Sequence, residues 1–141
     1  MSRLVRQVAL LAVALSLVGC KSKTAPKAAA PVEPAFRVKA GDLLTEYSTN
    51  AVAADAKYKG QVLLVTGQFH SANKAPLLGY AVQLAPEGGG DVGTTFVQCF
   101  IVESAEAKVA AFQPGQKIAL VGTCDGQVLG QVKLSKCSLA E

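Results

Sequence analysis

The residues best suited to chemistry in this sequence are four cysteines and a single histidine: Cys20, Cys99, Cys124, Cys137 and His70. Cys99, Cys124, Cys137 and His70 would supply the four sulfur and nitrogen ligands that a zinc site needs, but the sequence has no CxxC pair to support one. It also has no P-loop, GxSxG or HExxH motif, and no cysteine close to a histidine that could act as its base. We therefore predict that the protein is not an enzyme and that it has no catalytic residues, no metal and no cofactor.

The first of these cysteines follows a short hydrophobic segment. Arg3 and Arg6 precede residues 8–18, which are apolar except for one serine. As a helix this run would span about 16 Å at about 1.5 Å per residue, well short of the ~30 Å hydrocarbon core of a bilayer. Such a segment is typical of a signal peptide. It ends in the sequence Leu-Val-Gly-Cys, which resembles the lipobox of bacterial lipoproteins.

The lipobox resemblance implies that residues 1–19 are removed and that acyl chains such as palmitate are attached to Cys20. The mature protein would then be anchored to a membrane through lipid. The alternative is an ordinary periplasmic signal peptide with an incidental cysteine. Lys21, in place of an acidic residue, favours the outer membrane, with the protein facing the periplasm. Export would also place the other cysteines where disulfides persist.

Composition divides the rest of the chain into two parts. Residues 20–35 combine lysine, alanine and proline, which predicts a flexible tether. Residues 36–141 are long enough for one small domain, and they contain nine Lys and Arg against nine Asp and Glu. Proteins that bind nucleic acid generally carry a basic patch. The neutral domain therefore predicts that nucleic acid is not a partner.

Hydrophobic periodicity predicts a mainly β domain. Apolar residues at helical spacing indicate a helix over residues 42–57, capped by Asp42 and ended by Gly60. A short helix is predicted at residues 104–112, with Ser104 as its cap. Strands are predicted at residues 61–69, 79–84, 94–102, 117–124 and 131–139. Three strands, a helix and two strands are the element order of the OB-fold, a five-stranded, partly open barrel.

The chain also resembles an OB-fold lipoprotein family that is described as similar to tRNA-anticodon-binding domains. The similar segments are EYSTNAVAADAKYKGQVLLVTG, VQCF, PGQKIALVGTCDG and VKLSKCSL, within residues 42–139. The most specific positions are Glu46, Tyr47, Asn50, Ala54, Asp55, Tyr58, Gly60, Gly67, Gly122, Cys124, Gly126 and Cys137. The resemblance implies the fold but no established activity.

Two of the remaining cysteines are predicted to form a disulfide. If the last two strands form a hairpin, Cys124 and Cys137 can lie opposite each other, with Val128 near Lys133. Closing this loop would stabilise the fold by about 3 kcal/mol in the chain-entropy model. Cys99 is then expected to be a buried thiol. A bridge between Cys99 and Cys137 remains the alternative, because the third and fifth strands of an OB barrel are neighbours.

OB barrels bind ligands over their second and third strands and at the loops after the first and fourth strands. These loops correspond to residues 71–78 and 125–130. On the third strand, Phe96, Gln98 and Phe100 are predicted to face opposite to Cys99, which could place the two aromatic rings on a ligand-binding surface, although the first helix could cover them instead. The candidate ligand-binding residues are Lys74, Tyr80 and Phe96.

Together these features predict a non-enzymatic binding module held on a membrane in the periplasm, whose partner is an envelope protein or a glycan. One alternative is a structural protein that supports envelope integrity without a specific ligand. Another is a thiol-dependent redox protein, which would depend on the odd number of cysteines that remain after lipidation.

Overall fold

The fold is described from a computed structural model, for residues 33–88 and 95–140. The predicted signal peptide, the lipidation of Cys20 and most of the predicted tether lie outside these residues. Within them, no helix is long and apolar enough to cross a membrane.

This part of the chain forms six strands and three α-helices. In chain order they are β1 (Phe36–Lys39), α1 (Ala40–Thr49), α2 (Ala51–Tyr58), β2 (Val62–Ala75), β3 (Gly79–Ala85), β4 (Val97–Ile101), α3 (Glu106–Val109), β5 (Lys117–Val128) and β6 (Gln131–Leu139). A 3-10 turn, Glu103–Ala105, leads into α3.

The strands β2 to β6 form a closed barrel. Neighbouring strands pair in the order β2-β3-β4-β6-β5, and β5 pairs back with β2. The pairing of β4 with β6 is parallel, and the other pairings of the barrel are antiparallel. The predicted mainly β, OB-fold architecture is therefore confirmed. The structure adds β1, which pairs in parallel with residues 63–66 of β2 and was not predicted.

The predicted helix over residues 42–57 is wrong in one respect, because it is two helices. The backbone is extended at Asn50 (φ −156°, ψ 90°), so the first helix ends there. The Asn50 side chain accepts a hydrogen bond of 3.1 Å from the amide of Ala53, which caps α2. Asp42 lies in the first turn of α1, but the cap position is Lys39, and no side chain caps this end.

Two strands are longer than predicted. β2 continues to Ala75 and β5 to Val128, so most of the two predicted loops is strand. The β5–β6 hairpin turns in only two residues, Leu129 (φ 52°) and Gly130 (φ 79°), which is typical of a type I′ turn. The helix predicted at residues 104–112 is reduced to α3, and Ser104 lies inside the 3-10 turn without capping it.

The helices α1 and α2 contribute one apolar face to the core. The buried residues of this face are Leu43, Leu44, Tyr47, Ala54 and Tyr58, as the helical spacing predicted. They join the inward residues of the strands, which include Leu63, Val65, Leu84, Val97, Leu120 and Leu134. Burial of each large aliphatic side chain contributes about 1.5–3 kcal/mol, so this cluster is the main source of stability.

Close packing of helix and strands depends on two glycines. A Cβ atom on Gly67 would lie 2.9 Å from the Cβ of Ala40, where α1 begins. A Cβ atom on Gly122 would meet the Sγ of Cys137. Any larger residue at either position would force the packed elements apart.

Candidate functional site

A row of polar side chains crosses four strands on the outer face of the barrel. The register places Ser71 of β2 opposite Gln83 of β3, Gln83 opposite Gln98 of β4, and Gln98 opposite Lys133 of β6. The Ser71 hydroxyl donates to Gln83 Oε1 at 3.1 Å and accepts from Asn73 Nδ2 at 3.2 Å. We call Ser71, Gln83, Gln98 and Lys133 the polar row.

Alternation along each strand points this row away from the core. The chain neighbours of its members on β3, β4 and β6 are buried, namely Val82, Leu84, Val97, Cys99, Val132 and Leu134. Gln83, Gln98 and Lys133 are themselves half-buried. Because successive side chains of a strand point to opposite faces, the row lies on the solvent side of the barrel wall.

Two phenylalanines flank Gln98 on the same face. Phe96 and Phe100 are half-buried, and at about 3.3 Å per residue their positions are ~13 Å apart along the strand. The ring of Phe96 stacks on His70, with centroids 4.5 Å apart and 20° between the planes. Phe100 lies opposite Ala81 of β3. This face therefore combines aromatic rings with hydrogen-bonding amides.

A bulge in β2 brings His70 to Phe96. Phe69 pairs with Leu84 and Ser71 pairs with Gln83, so His70 is an extra residue in the ladder. The buried side chain of Phe69 points inward, and His70 is exposed. A bulge adds one residue and re-aims the side chain there, which explains why the histidine can reach β4 from a strand that is not its neighbour.

The three predicted ligand-binding residues do not lie together. Lys74 and Tyr80 are direct partners in the β2–β3 ladder, but Tyr80 is in phase with the buried Val82 and so shares the other face of β3. There it lines a cavity of ≈ 420 Å³, whose other lining residues are Ala72, Ile101, Glu106, Ala107, Val109 and Ala110. Of the predicted three, Phe96 alone lies on the face of the polar row.

Sequence analysis missed most of the polar row. Gln98 was predicted to face opposite to Cys99, and the alternation of β3 is a signal that could have identified Gln83 as an outward residue as well. Ser71 was assigned to a loop, and Lys133 could not be connected to the other three without the register of β4 against β6.

Exposed apolar side chains lie at the two hairpins that border this face. The β2–β3 hairpin exposes Leu77 and Leu78, and the β5–β6 hairpin exposes Val128 and Leu129. The first hairpin lies beyond the Phe100 end of β4 and the second beyond its Val97 end. A ligand along β4 would meet one hairpin at each end.

The cysteine geometry that supported a Cys124–Cys137 disulfide is wrong. Two register shifts in β5–β6 and the short turn place Cys124 opposite Leu134, while Cys137 lies beside Ile101 of β4. All three cysteines from Cys99 onward are buried and free. The Cys124 thiol is instead within 3.5 Å of the Tyr47 hydroxyl.

The thiols are poorly suited to catalysis or metal binding. Burial raises the pKa of the Cys124 thiol, and the pKa of the Tyr47 hydroxyl is also raised by burial. A protonated, buried thiol is a weak nucleophile. His70 is on the outer face, away from the inward cysteines, and the described residues contain no group of three or more His, Cys, Asp or Glu side chains that could hold a metal.

Several of the positions that are most specific for the family resemblance hold the helices on the barrel. Glu46 of α1 accepts hydrogen bonds from Lys57 Nζ at 2.9 Å and from the Tyr58 hydroxyl at 2.9 Å, which joins α1 to α2. Gly126 of β5 has φ 93°, and a Cβ atom there would lie 2.8 Å from Asp55 Oδ1. These residues explain the architecture and do not belong to the outer face.

Comparisons with known proteins connect this architecture to nucleic acid. A family model described as tRNA_anti-like matches residues 1–138. A solved structure from Klebsiella pneumoniae subsp. pneumoniae MGH 78578, described as a "putative nucleic acid-binding lipoprotein", is similar with a TM-score of 0.59 and 18% identity. The similarity covers 75% of this chain and 92% of that one, and it shows a shared fold. No curated protein matches.

The prediction that nucleic acid is not a partner is therefore wrong. It rested on the neutral charge of residues 36–141, whereas the matching family model is described as tRNA_anti-like and the similar solved structure is described as nucleic acid-binding. A neutral net charge does not by itself exclude nucleic-acid binding, because aromatic side chains can stack on bases with few charges.

Proposed function

The chain belongs to the tRNA_anti-like family, and we propose that it binds short single-stranded nucleic acid, without catalysis, across the face of the polar row. The observation that carries this proposal is the arrangement of Phe96 and Phe100 on either side of Gln98. Aromatic rings stack on any base, and side-chain amides hydrogen-bond to base edges. In a single strand both the flat faces and the edges of the bases are accessible.

The charge of the face predicts how such binding would behave. Lys133 is the one charged member of the polar row, so few counterions would be released on binding. Stacking contributes about 1–3 kcal/mol per base, so two rings would contribute about 2–6 kcal/mol. We expect modest affinity and a shallow dependence on salt.

We also propose that the protein is a lipoprotein of the cell envelope, facing the periplasm. Cys20 would carry the lipid, residues 21–35 would form the tether, and residues 36–141 would be the binding domain. The hydrophobic run at residues 8–18 and the lipobox-like end of that run support this proposal. Anchoring would confine the domain to the membrane surface, where weak binding is more effective because the local concentration is high.

An envelope glycan is a second candidate ligand. It is favoured by the single charge of the polar row and by the two glutamines, because uncharged sugars need hydrogen-bonding amides and aromatic rings but no cationic patch. A redox function has less support, because the three cysteines of the described residues are buried.

The test is fluorescence anisotropy with a labelled oligothymidine of about ten nucleotides, within the 4–16 nucleotides that one OB-fold covers. We expect the single strand to bind and the same strand annealed to its complement to bind much more weakly. The variant Phe96→Ala/Phe100→Ala should lose at least about tenfold in affinity. The matched variant Lys74→Ala/Tyr80→Ala, on the other face of the sheet, should bind like the wild type.

Equal affinity for single strand and duplex, or equal losses from the two double variants, would contradict the proposal. Isothermal titration calorimetry with chitooligosaccharides tests the second candidate. Heat of binding to the sugar, with no binding of the oligonucleotide, would favour the glycan.

A further inference from the structure

A chain of hydrogen bonds holds the side-chain amide of Gln83 in one orientation. Asn73 Nδ2 donates to the Ser71 hydroxyl oxygen at 3.2 Å, and the Ser71 hydroxyl donates to Gln83 Oε1 at 3.1 Å. A serine hydroxyl has a single proton, and here Gln83 receives it. The strand β3 lies between β2 and β4. The amide oxygen of Gln83 is therefore held towards β2, which leaves its amino group on the side of β4.

The amino group of Gln83 is available to a ligand. In the part of the chain that the structure describes, it donates no hydrogen bond, and it is not among the buried polar atoms that lack a partner. An amide nitrogen can donate hydrogen bonds but cannot accept them. A ligand group that lies against it must therefore offer an acceptor.

Gln98 lies directly opposite Gln83 in the β3–β4 ladder and is not held in the same way. No hydrogen bond joins its amide to another of the described residues, so it can turn either its oxygen or its nitrogen to a ligand. Neighbouring strands are about 4.8 Å apart, so both amides can contact the same base. The pair offers one fixed donor beside one group that adapts.

The two phenylalanines bring a base to these amides. Phe96 and Phe100 are each two residues from Gln98, which is ~7 Å along an extended strand. A base that stacks on either ring has its edge within reach of Gln98 and Gln83. Stacking accepts every base, so any selectivity on this face has to come from the hydrogen bonds of the amides.

We propose that this face selects bases with a carbonyl group beside a ring N–H, namely uracil, thymine and guanine, over cytosine and adenine. This inference rests on the proposed binding of single-stranded nucleic acid. In uracil, O4 is an acceptor and the adjacent N3–H is a donor. Gln83 donates to O4, and Gln98 accepts from N3–H. Cytosine carries an amino group in place of O4, so two donors would face each other and lose their hydrogen bonds.

The test compares labelled oligodeoxyuridine with labelled oligodeoxycytidine, each of about ten nucleotides, by fluorescence anisotropy. The two bases have nearly the same shape and differ only in the group at C4 and the proton on N3. The titrations use the full chain above neutral pH, where cytosine is unprotonated. We expect oligodeoxyuridine to bind about tenfold more tightly, which is within the discrimination that paired base contacts provide.

Two variants test whether Gln83 is the source of the selectivity. Gln83→Glu replaces the amino group by an oxygen of similar size, so the affinity ratio of the two oligonucleotides should fall to about one or reverse. The ratio is the readout because the new negative charge weakens both complexes alike. Ser71→Ala releases the Gln83 amide and should lower the ratio with little loss of affinity for oligodeoxyuridine. Ser48→Ala, which removes a serine hydroxyl on α1, is the matched control and should keep the wild-type ratio.

Each outcome separates the selectivity from the binding itself. Equal wild-type affinities for the two oligonucleotides, or tighter binding of oligodeoxycytidine, would overturn the selectivity and leave nucleic-acid binding intact. An unchanged ratio in both Gln83→Glu and Ser71→Ala would overturn the role of Gln83. Binding of neither oligonucleotide would refute the proposed function, and this inference with it.

Oligouridine and oligocytidine repeat the comparison with ribose. The same base edge occurs in RNA and DNA, and the 2′-hydroxyl distinguishes the two. A preference for uracil in either series supports the proposal, and the series that binds more tightly identifies the nucleic acid. A preference for cytosine in both series would overturn it.

Discussion

The imidazole ring of His70 stacks on the phenyl ring of Phe96, with the ring centroids 4.5 Å apart. The contact joins β2 to the residue that precedes β4, across the intervening β3, and it depends on the bulge that makes His70 an extra residue in its strand. One side of the Phe96 ring is thereby supported before any ligand arrives. A supported ring loses less conformational entropy when a base stacks on it, so the face is organised in advance for stacking.

Removal of the Phe96 ring should weaken oligonucleotide binding. Base stacking on an aromatic ring is worth about 1–3 kcal/mol, so Phe96→Ala should lower affinity by roughly 5- to 150-fold in anisotropy titrations. His70→Ala removes only the support and should cause a smaller loss. Tyr80→Ala is the control because Tyr80 lies on the other face of β3. A loss from Tyr80→Ala as large as that from Phe96→Ala would show that the wrong face has been identified.

Lys133→Gln should flatten the salt dependence of binding. Each phosphate contact to a single strand contributes about 0.7 to the slope of log affinity against log salt, so the slope should decrease by about that amount. Titrations at several salt concentrations measure it. Lys74→Gln, which removes a lysine from the opposite side of the sheet, should leave the slope unchanged. The same slope for wild type and Lys133→Gln would exclude Lys133 from phosphate binding.

Acid should weaken the contact between α1 and α2. Hydrogen bonds from Lys57, and then from Tyr58, lower the pKa of the Glu46 carboxyl in the folded protein. A lowered folded-state pKa gives stability that is present above the unfolded value, about 4.3, and is lost as the pH falls through the folded value. Because the Glu46 side chain is 41% exposed, we expect the contribution to be below about 1 kcal/mol.

Urea unfolding between neutral pH and pH 3 measures this contribution. The stability of Glu46→Gln should fall less steeply with decreasing pH than that of the wild type. Tyr58→Phe keeps the carboxylate and removes one donor, so it should show an intermediate slope. Identical slopes for wild type and Glu46→Gln would rule out Glu46 as a source of the pH dependence.

Gly122→Ala should destabilise the domain by about 1–3 kcal/mol, the usual cost of overpacking a core. The added methyl group would collide with the Cys137 sulfur and approach the carbonyl oxygen of Ser135 to 3.0 Å. Cys137→Ala should rescue part of the loss, because it removes the first contact and leaves the second. Thermal unfolding of the two single variants and the double variant gives the coupling. If the changes in stability caused by the two substitutions simply add in the double variant, positions 122 and 137 do not interact.

Leu129→Asn should stabilise the β5–β6 hairpin. Leu129 is exposed and has φ 52°, a conformation that costs a leucine about 1–2 kcal/mol and that asparagine tolerates better. The change creates an Asn-Gly turn with Gly130, and we expect the free energy of unfolding to rise by about 0.5–1 kcal/mol. Leu77→Asn tests the same reasoning in the β2–β3 hairpin, at φ 67°. A lower melting temperature in both variants would refute it.

The barrel could be predicted from sequence because its strands carry their own signals. Residues 61–69 and 117–124 are rich in β-branched and other apolar residues, and turn residues separate them from their neighbours. The strand β1 has only four residues, too few for a period to be visible, and its pairing with β2 is a tertiary effect. The sequence pattern did not reveal that the helix is interrupted at Asn50, because the apolar residues on both sides of it keep the helical spacing.

The face of the polar row was harder to predict because it depends on register. Ser71, Gln83, Gln98 and Lys133 lie 12, 15 and 35 positions apart along the chain, and only the ladders make them neighbours. The bulge at His70 changes the register by one residue, which no local pattern reveals. The expected placement of Cys124 opposite Cys137 failed for the same reason, because the register shifts of β5 against β6 decide which residues face each other.

The outer edge of β1 affects how copies of this domain would interact when they are crowded on a surface. Among the six strands described, it is the one that pairs with a single other strand, so its outer edge could accept a strand from another molecule. That edge is only four residues long, and the exposed side chains along it are the cations Arg37 and Lys39. Two facing copies would repel each other, so dense arrays of this domain should resist edge-to-edge aggregation.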